Sequence, residues 1–392
     1  MLALATVGYL VSAWAWALLA PLAPALREIL GLTALEQALV VSVPVVVGAA
    51  GRIPVGALTD RLGAKTMFLL VAAATIAALL VLAAVGYRSV PGLMMGAALL
   101  GVAGTMFAVG VPFVSAWFAG GRRGLALGVL GTGLIGGAIG GLSTGRLVRA
   151  FGIAAPFWVV AFALGLFVVL VVVVAHNPPR LPSHDAPPSA GFAAVVRLPI
   201  MWHATIWNAV TFALFVTFSS YLPVYLTNAY GLSLVHAGYA MAGFVILAVP
   251  MRAVGGWLSD RFTPRRPLIA ALALLTALTA TQAFTPPLRV VLALLPALAV
   301  ALGITSGALL AQVATVTPPT MLGRVSGVVA GVAGLAGFLS PLLMAASLSR
   351  YGNYGPAVGV LAAGAAAALL SASTATRPSV ARGARSPMSG AA

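Results

Sequence analysis

RIPVGALTDR (residues 52–61) and RAVGGWLSDR (residues 252–261) are one ten-residue pattern, R-x-x-x-G-x-L-[ST]-D-R, written twice in the same chain at an offset of 200 residues. Each copy starts with an arginine inside an apolar run and ends on an Asp-Arg pair at the edge of that run. A pattern matched at the same place in two halves is the mark of a duplicated helical bundle. The offset is about half of the 392-residue length, so the two copies belong to equivalent helices of two repeats.

The composition around the repeat fits such a bundle in a membrane. Hydrophobic residues make up 61% of the chain and charged residues 7%, with a mean hydropathy of +1.11. A soluble domain keeps about a quarter of its residues charged, so that class is excluded. A spanning helix needs about 20 apolar residues. Twelve runs meet that length, near 4–24, 37–59, 66–86, 91–118, 124–147, 153–175, 200–227, 235–259, 267–286, 288–315, 322–347 and 354–374. The expected fold is all-α and polytopic, with twelve transmembrane helices in two pseudo-symmetric six-helix bundles. The first run is longer than a signal-peptide core and lacks a positive leader, so it is read as the first span.

The widest break, HNPPRLPSHDAPPSAGFAAVVRLP (176–199), is rich in Pro, Ser and Ala and divides the spans six and six. The expected organisation is therefore an N-terminal bundle over 1–176, a linker over 177–199, a C-terminal bundle over 200–374 and a tail over 375–392. Of the 21 Lys and Arg, thirteen fall in the segments on the side of the termini and six on the other side. The positive-inside rule then puts both termini in the cytoplasm, and the chain in a bacterial inner membrane.

The net charge of +16 would suit a nucleic-acid binder, but the basic residues come singly or in pairs between apolar runs, so no nucleic acid is expected as a partner. The absence of cysteine removes disulfides, thiolate chemistry and Cys-based metal sites. His176, His184, His203 and His236 are scattered, with no ligand spacing. No metal, cofactor or enzymatic activity is expected.

Arg52 and Arg252 remain after the loop charges are assigned. Each lies eight residues before the closing aspartate, about 12 Å back along a helix at ~1.5 Å per residue. That depth is near the bilayer midplane, where a charge costs at least ~2.5–3.5 kcal/mol and is kept where it meets protein, water or ligand. The five acidic residues, Glu28, Glu36, Asp60, Asp185 and Asp260, all sit near helix ends or in the linker. With no carboxylate at midplane, the natural partner of two planar guanidiniums is a small anion; backbone carbonyls and waters are the other candidates. The missing midplane acid also disfavours a proton-coupled carrier of cationic drugs. Gly128, Gly131, Gly133, Gly136, Gly137, Gly140 and Gly141 strip side chains from one helix, and Gly327, Gly331, Gly334 and Gly337 do so in another. Neighbouring helices can then approach closely and slide. Trp14 and Trp16 lie mid-helix in the first span, lining a cavity or packing outward.

TDRLGAK (59–65) resembles the loop motif between the second and third helices of the major facilitator superfamily. The resemblance implies gating roles for Asp60, Arg61, Lys65, Asp260 and Arg261. A narrower similarity runs through VPVVVGAAGRIPVGALTDRLGAK, GVAGTMFAVGVPFVSAWF, RRGLALGVLGTGLIGGAIGG, AVTFALFVTFSSYLPVYL, MRAVGGWLSDR and GRVSGVVAGVAGLAGFLSP, covering about residues 10–347. These pieces look like the nitrate/nitrite porter branch of the NarK/NasA type. The likeness implies that Arg52 and Arg252 clamp the anion from two sides, with Gly133, Gly136, Gly137, Gly331 and Gly334 in the family's paired glycine signatures. It implies a pocket role for Asn208, Thr211 and Phe212 as well. Two positions depart from the branch pattern: Leu134 stands where it has Asn, and Asn208 where it often has Tyr. Asn208 could thus supply a donor that Leu134 lacks.

The expected function is secondary transport of a small anion by alternating access, with nitrate or nitrite leading and cyanate, formate or oxalate following. A non-transporting membrane anion sensor is the reading from another class. The partners expected are the anion and the lipid bilayer, with the protein a monomer.

Overall fold

The computed structural model describes residues 1–118, 121–176 and 192–374. Among the described residues, twelve helices are long and apolar enough to cross a membrane. Helices one to six are Leu2–Leu30, Leu35–Leu62, Ala64–Gly86, Val90–Trp117, Arg123–Phe151 and Ala155–Val174. Helices seven to twelve are Pro199–Tyr230, Val235–Phe262, Arg265–Ala283, Leu288–Val316, Pro319–Tyr351 and Gly355–Thr374. Each coincides with one expected run. No strand occurs among the described residues, and the chain is an all-α polytopic protein. Of the expected linker, a short helix at Phe192–Val196 leads into helix seven. Residues 177–191, with Arg180, His184 and Asp185, lie outside the described residues, as does the tail from 375.

The 200-residue correspondence extends beyond the quoted pattern. Helix one ends on Gly31 and helix seven on Gly231, both left-handed caps at φ 64° and 66°. The next helices start on Thr33 and Ser233. The Thr33 hydroxyl accepts from Glu36 N–H at 3.2 Å while Thr33 N–H donates to the Glu36 carboxylate at 2.8 Å, a capping box. Ser233 receives His236 N–H in the same way.

Prolines break the first helix of each half. Pro21 removes the N–H that would bond to Ala17 and crowds that carbonyl; the regular helix stops at Ala17 and resumes at Leu19. Pro223 stands behind a π-helical widening at Thr217–Tyr221. Helices four and five tighten to 3-10 geometry at Gly101–Thr105 and Thr132–Ile135. Such mid-helix irregularities leave carbonyls free for other partners, and two of those carbonyls or their neighbours meet the arginines described below.

The bundles pack face to face along two seams, helix two on helix eleven and helix eight on helix five. Each bundle has an aromatic interior. In the first, Phe68 meets Phe113 and Phe167 edge to face at 5.2 and 6.0 Å. In the second, Tyr225 contacts Tyr230 and Tyr354 at 5.7 and 5.2 Å.

One repeat-related pair is mismatched. After the Asp-Arg end, Gly63 has φ 84° and Thr263 has φ 67°. The chain makes the same turn in both halves, but Thr263 carries a branched side chain where the left-handed region favours glycine. Replacing Thr263 with Gly should release about 1 kcal/mol of strain. Thermal unfolding in detergent should show a midpoint raised by roughly 1–2 °C; an unchanged or lowered midpoint would contradict strain at this turn.

Candidate functional site

Both arginines are buried, Arg52 at 5% exposure and Arg252 at 6%. Among the described residues neither forms an ion pair. Arg52 Nε donates to the Gly104 carbonyl at 2.8 Å and Nη1 to the Ala330 carbonyl at 2.8 Å. Arg252 Nη1 donates to the Gly131 carbonyl at 3.3 Å. Gly104 lies in the 3-10 stretch of helix four, and Gly131 directly precedes that of helix five. Each guanidinium is also backed by an aromatic ring on the first helix of its own half. The Trp16 ring centroid is 5.8 Å from the Arg52 guanidinium carbon, and the Phe215 centroid 5.3 Å from that of Arg252. Trp16 is fixed in turn by its indole N–H, which donates to the Pro44 carbonyl at 3.0 Å.

The symmetry is close. Ala330 and Gly131 sit one residue from exact correspondence under the 200-residue offset, each on the glycine-rich helix of the opposite bundle. So each arginine reaches across a seam to a main-chain oxygen. A guanidinium has five N–H donors; Arg52 spends two and Arg252 one, which leaves donors for a further acceptor. Hydrogen bonds to a charged group are worth about 1.5–3 kcal/mol each. Two such bonds largely offset the insertion cost of Arg52, whereas the single longer bond leaves Arg252 less compensated.

The aspartates close one end of both seams. Asp60 accepts from Gly323 N–H at 2.9 Å and Arg324 N–H at 3.0 Å, with Arg324 Nε at 3.7 Å. Asp260 accepts from Gly124 N–H and Leu125 N–H, both at 2.7 Å. A carboxylate on the first amides of a helix meets unpaired N–H groups and the positive end of the helix dipole. These contacts need backbones in near contact. A methyl built on Gly56 would lie 2.2 Å from the Gly323 carbonyl oxygen, and one on Gly256 would lie 2.0 Å from that of Gly124. Only glycine allows either crossing.

The other residues selected from sequence divide. Gly331 packs on the Ala49 carbonyl and Gly334 beside Ala49 and Arg52, at the first seam. Gly133 and Gly136 instead face helix one, against Tyr9 and the Leu10 carbonyl, and Gly137 lies nearest Ala17. At the Arg252 side chain the helix-five glycine is Gly131, while Gly128 packs on the Arg252 carbonyl. Asn208 donates its amide N–H to the Val329 carbonyl at 3.2 Å. Thr211 bonds to its own helix at Trp207, 2.6 Å away. Phe212 stacks on Phe215 at 6.3 Å and is seated over Gly337. Asp60 and Asp260 cross between the bundles; Arg61 is exposed, Arg261 lies over the Trp257 and Phe262 rings, and Lys65 donates to the Val172 carbonyl at 3.2 Å.

Sequence reasoning missed Phe215, Arg123, Arg324 and Tyr9. Arg123 donates across the second seam to the Ala314 carbonyl at 2.9 Å, and Arg324 is buried against Asp60. A signal was present: Arg122-Arg123-Gly124 and Gly323-Arg324 open the two glycine-rich helices at matching places. Tyr9 carried no motif.

The model of the Major Facilitator Superfamily matches residues 5–341. A probable nitrate/nitrite transporter, NarK2, of Mycobacterium tuberculosis strain H37Rv is 41% identical over 357 residues, which is 90% of each chain. A nitrite extrusion protein of Bacillus subtilis strain 168 is 28% identical over 88% of this chain and 86% of its own. Among solved structures, the E. coli fucose:proton symporter FucP aligns with a TM-score of 0.78 at 16% identity, covering 96% of this chain and 98% of the other. The human organic anion transporter MFSD10 aligns at 0.77 and 16% identity, covering 95% and 98%. At such identities these structures speak for the fold alone.

The seam geometry has a direct test, because the chain has no cysteine to remove. Ser259, 2% exposed on helix eight, becomes a probe as Ser259→Cys. Adding Gly256→Ala should force the helix eight–helix five crossing apart and raise the thiol labelling rate several-fold. An unchanged rate would mean that the backbones are not in limiting contact.

Proposed function

Since this chain belongs to the Major Facilitator Superfamily, in its nitrate/nitrite porter branch, we propose that it carries nitrate or nitrite across the bacterial inner membrane by alternating access, held between Arg52 and Arg252. The observation that carries the reading is the pair of buried guanidiniums without a carboxylate, each with donors left over after its carbonyl bonds. A planar oxyanion matches the guanidinium fork and supplies the negative charge that main-chain dipoles supply only in part. The names of the relatives, a nitrate/nitrite transporter and a nitrite extrusion protein, point to the same cargo.

The mechanism follows from the two seams. In the present arrangement the Asp60–Asp260 end is shut, with carboxylates on the first amides of helices five and eleven and glycines packed beneath them. That end faces the cytoplasm under the positive-inside rule, with both termini on the same side. Opening it requires the Asp bonds to break and the arginine-bearing helices to slide off their glycine tracks. An anion bound by the spare donors partly neutralises each guanidinium and so weakens its bonds to Ala330 and Gly131, which span the seams. Cargo and seam thus share the same two guanidiniums, which couples binding to reorientation. The aromatic backing of Trp16 and Phe215 keeps each guanidinium in place while its partners change.

Anion counterflow in proteoliposomes tests this directly, with nitrate, nitrite, cyanate, formate and oxalate as competitors. Wild type should exchange nitrate or nitrite. Arg52→Lys and Arg252→Lys, which keep the charge but lose the fork, should each cut the rate at least about tenfold. Exchange that is indifferent to both substitutions, or absent for every anion, would remove the clamp.

A further inference from the structure

Tyr9, on helix one, is 7% exposed. Its neighbours on helices four and five, Phe107 and Gly133, follow within one turn the Gly104 and Gly131 carbonyls that hold Arg52 and Arg252, and the charges of both arginines act on it. Its ring is held on two sides. Phe107 of helix four meets it at 5.1 Å with planes inclined 45°. On the other side the helix-five backbone comes so near that a methyl built on Gly133 would lie 2.8 Å from Tyr9 Cδ1. The hydroxyl has no hydrogen-bond partner among the described residues. Its oxygen keeps accessible surface, unlike the sealed, unpartnered Thr6 and Ser12 hydroxyls of the same helix, so it is open to a ligand, and neither guanidinium donates to it. An acceptor placed between the guanidiniums would receive the phenolic O–H as well. Of the pocket residues selected from sequence, Asn208 has one amide N–H engaged on Val329 and Thr211 its hydroxyl on Trp207, and the Trp16 indole is engaged on Pro44.

We infer that Tyr9 is a third, neutral contact to the transported oxyanion, its hydroxyl donating to an anion oxygen between Arg52 and Arg252. The inference rests on the clamp reading above and deepens it. Two guanidiniums recognise charge and planarity; a rigid hydroxyl adds a directional donor, fixing how the anion is turned and how many oxygens it presents. Gly133 then serves the site through Tyr9, by leaving room for the ring, and not by touching the anion.

The full-length protein in detergent supplies the test, with nitrate and nitrite affinities read from the anion-dependent rise in unfolding midpoint. Tyr9→Phe keeps the ring on Phe107 and Gly133 and removes the hydroxyl alone. The expected result is an anion-free midpoint equal to wild type, binding weakened about tenfold, and an altered nitrate-to-nitrite affinity ratio. Wild-type affinities with a wild-type ratio would overturn the inference, as would a lowered anion-free midpoint with affinities unchanged. Should Tyr9→Phe lower both midpoint and affinity, Tyr9→His decides by returning a ring N–H donor. Affinity above that of Tyr9→Phe supports the contact, and affinity at or below it overturns it. Arg52→Lys and Arg252→Lys run beside these variants. If they bind like wild type, or wild type binds no anion, the clamp reading fails and the Tyr9 contact with it; if only the Tyr9 variants behave like wild type, the clamp stands and the Tyr9 contact falls.

Discussion

Two positive charges in a membrane interior without a compensating carboxylate set the terms for everything around them. At midplane a guanidinium is tolerated only if its donors find oxygen and its charge finds negative potential. The chain meets that demand with groups that carry no formal charge. Gly104 and Ala330 offer main-chain oxygens to Arg52, Gly131 offers one to Arg252, and the Trp16 and Phe215 rings present their faces. Such compensation is partial by nature. A carboxylate would have neutralised each arginine permanently and left nothing for a ligand to do.

The same need explains the glycines. Main-chain oxygen can be offered across a bundle interface only if two helices approach to backbone contact, and side chains forbid that. Gly56 on Gly323 and Gly256 on Gly124 bring the helices together near one end, while Gly327 and Gly128 keep them together beside the carbonyls of Arg52 and Arg252. The closure at Asp60 and Asp260 uses the same device inverted: there the helix offers its amides and the side chain supplies the charge. Each seam therefore has an acid-to-amide tie at one end and a cation-to-carbonyl tie in the middle, repeated with near-twofold symmetry.

Much of this was legible in the chain. The number of spans, and the matched placement of Arg52 with Arg252 and of Asp60 with Asp260, follow from apolar run length and a repeated pattern, which are local properties. What was not legible is direction. A glycine run announces close packing but not which neighbour is packed. Gly131 turns toward Arg252 while Gly133 and Gly136, roughly 200° and 140° further round the helix at ~100° per residue, turn toward helix one. Phe212 and Phe215 differ in the same way, one seated over Gly337 and the other behind Arg252. Asn208 spends one amide N–H on a carbonyl of helix eleven, a partner that no local pattern announces. Tyr9 belongs to no pattern and owes its place to three helices meeting.

The acceptors opposite the arginines are main-chain atoms, and this bears on how the protein can change over time. No substitution at position 131 or 330 can delete a carbonyl. Drift at positions 131 and 330 is thus free to exchange one small residue for another without altering the chemistry offered to the guanidiniums. What it cannot do is add bulk or shift a helix by one residue. A saturation scan of these two helices would accordingly sort variants by volume and hardly at all by polarity, the reverse of what a binding pocket built from side chains would give.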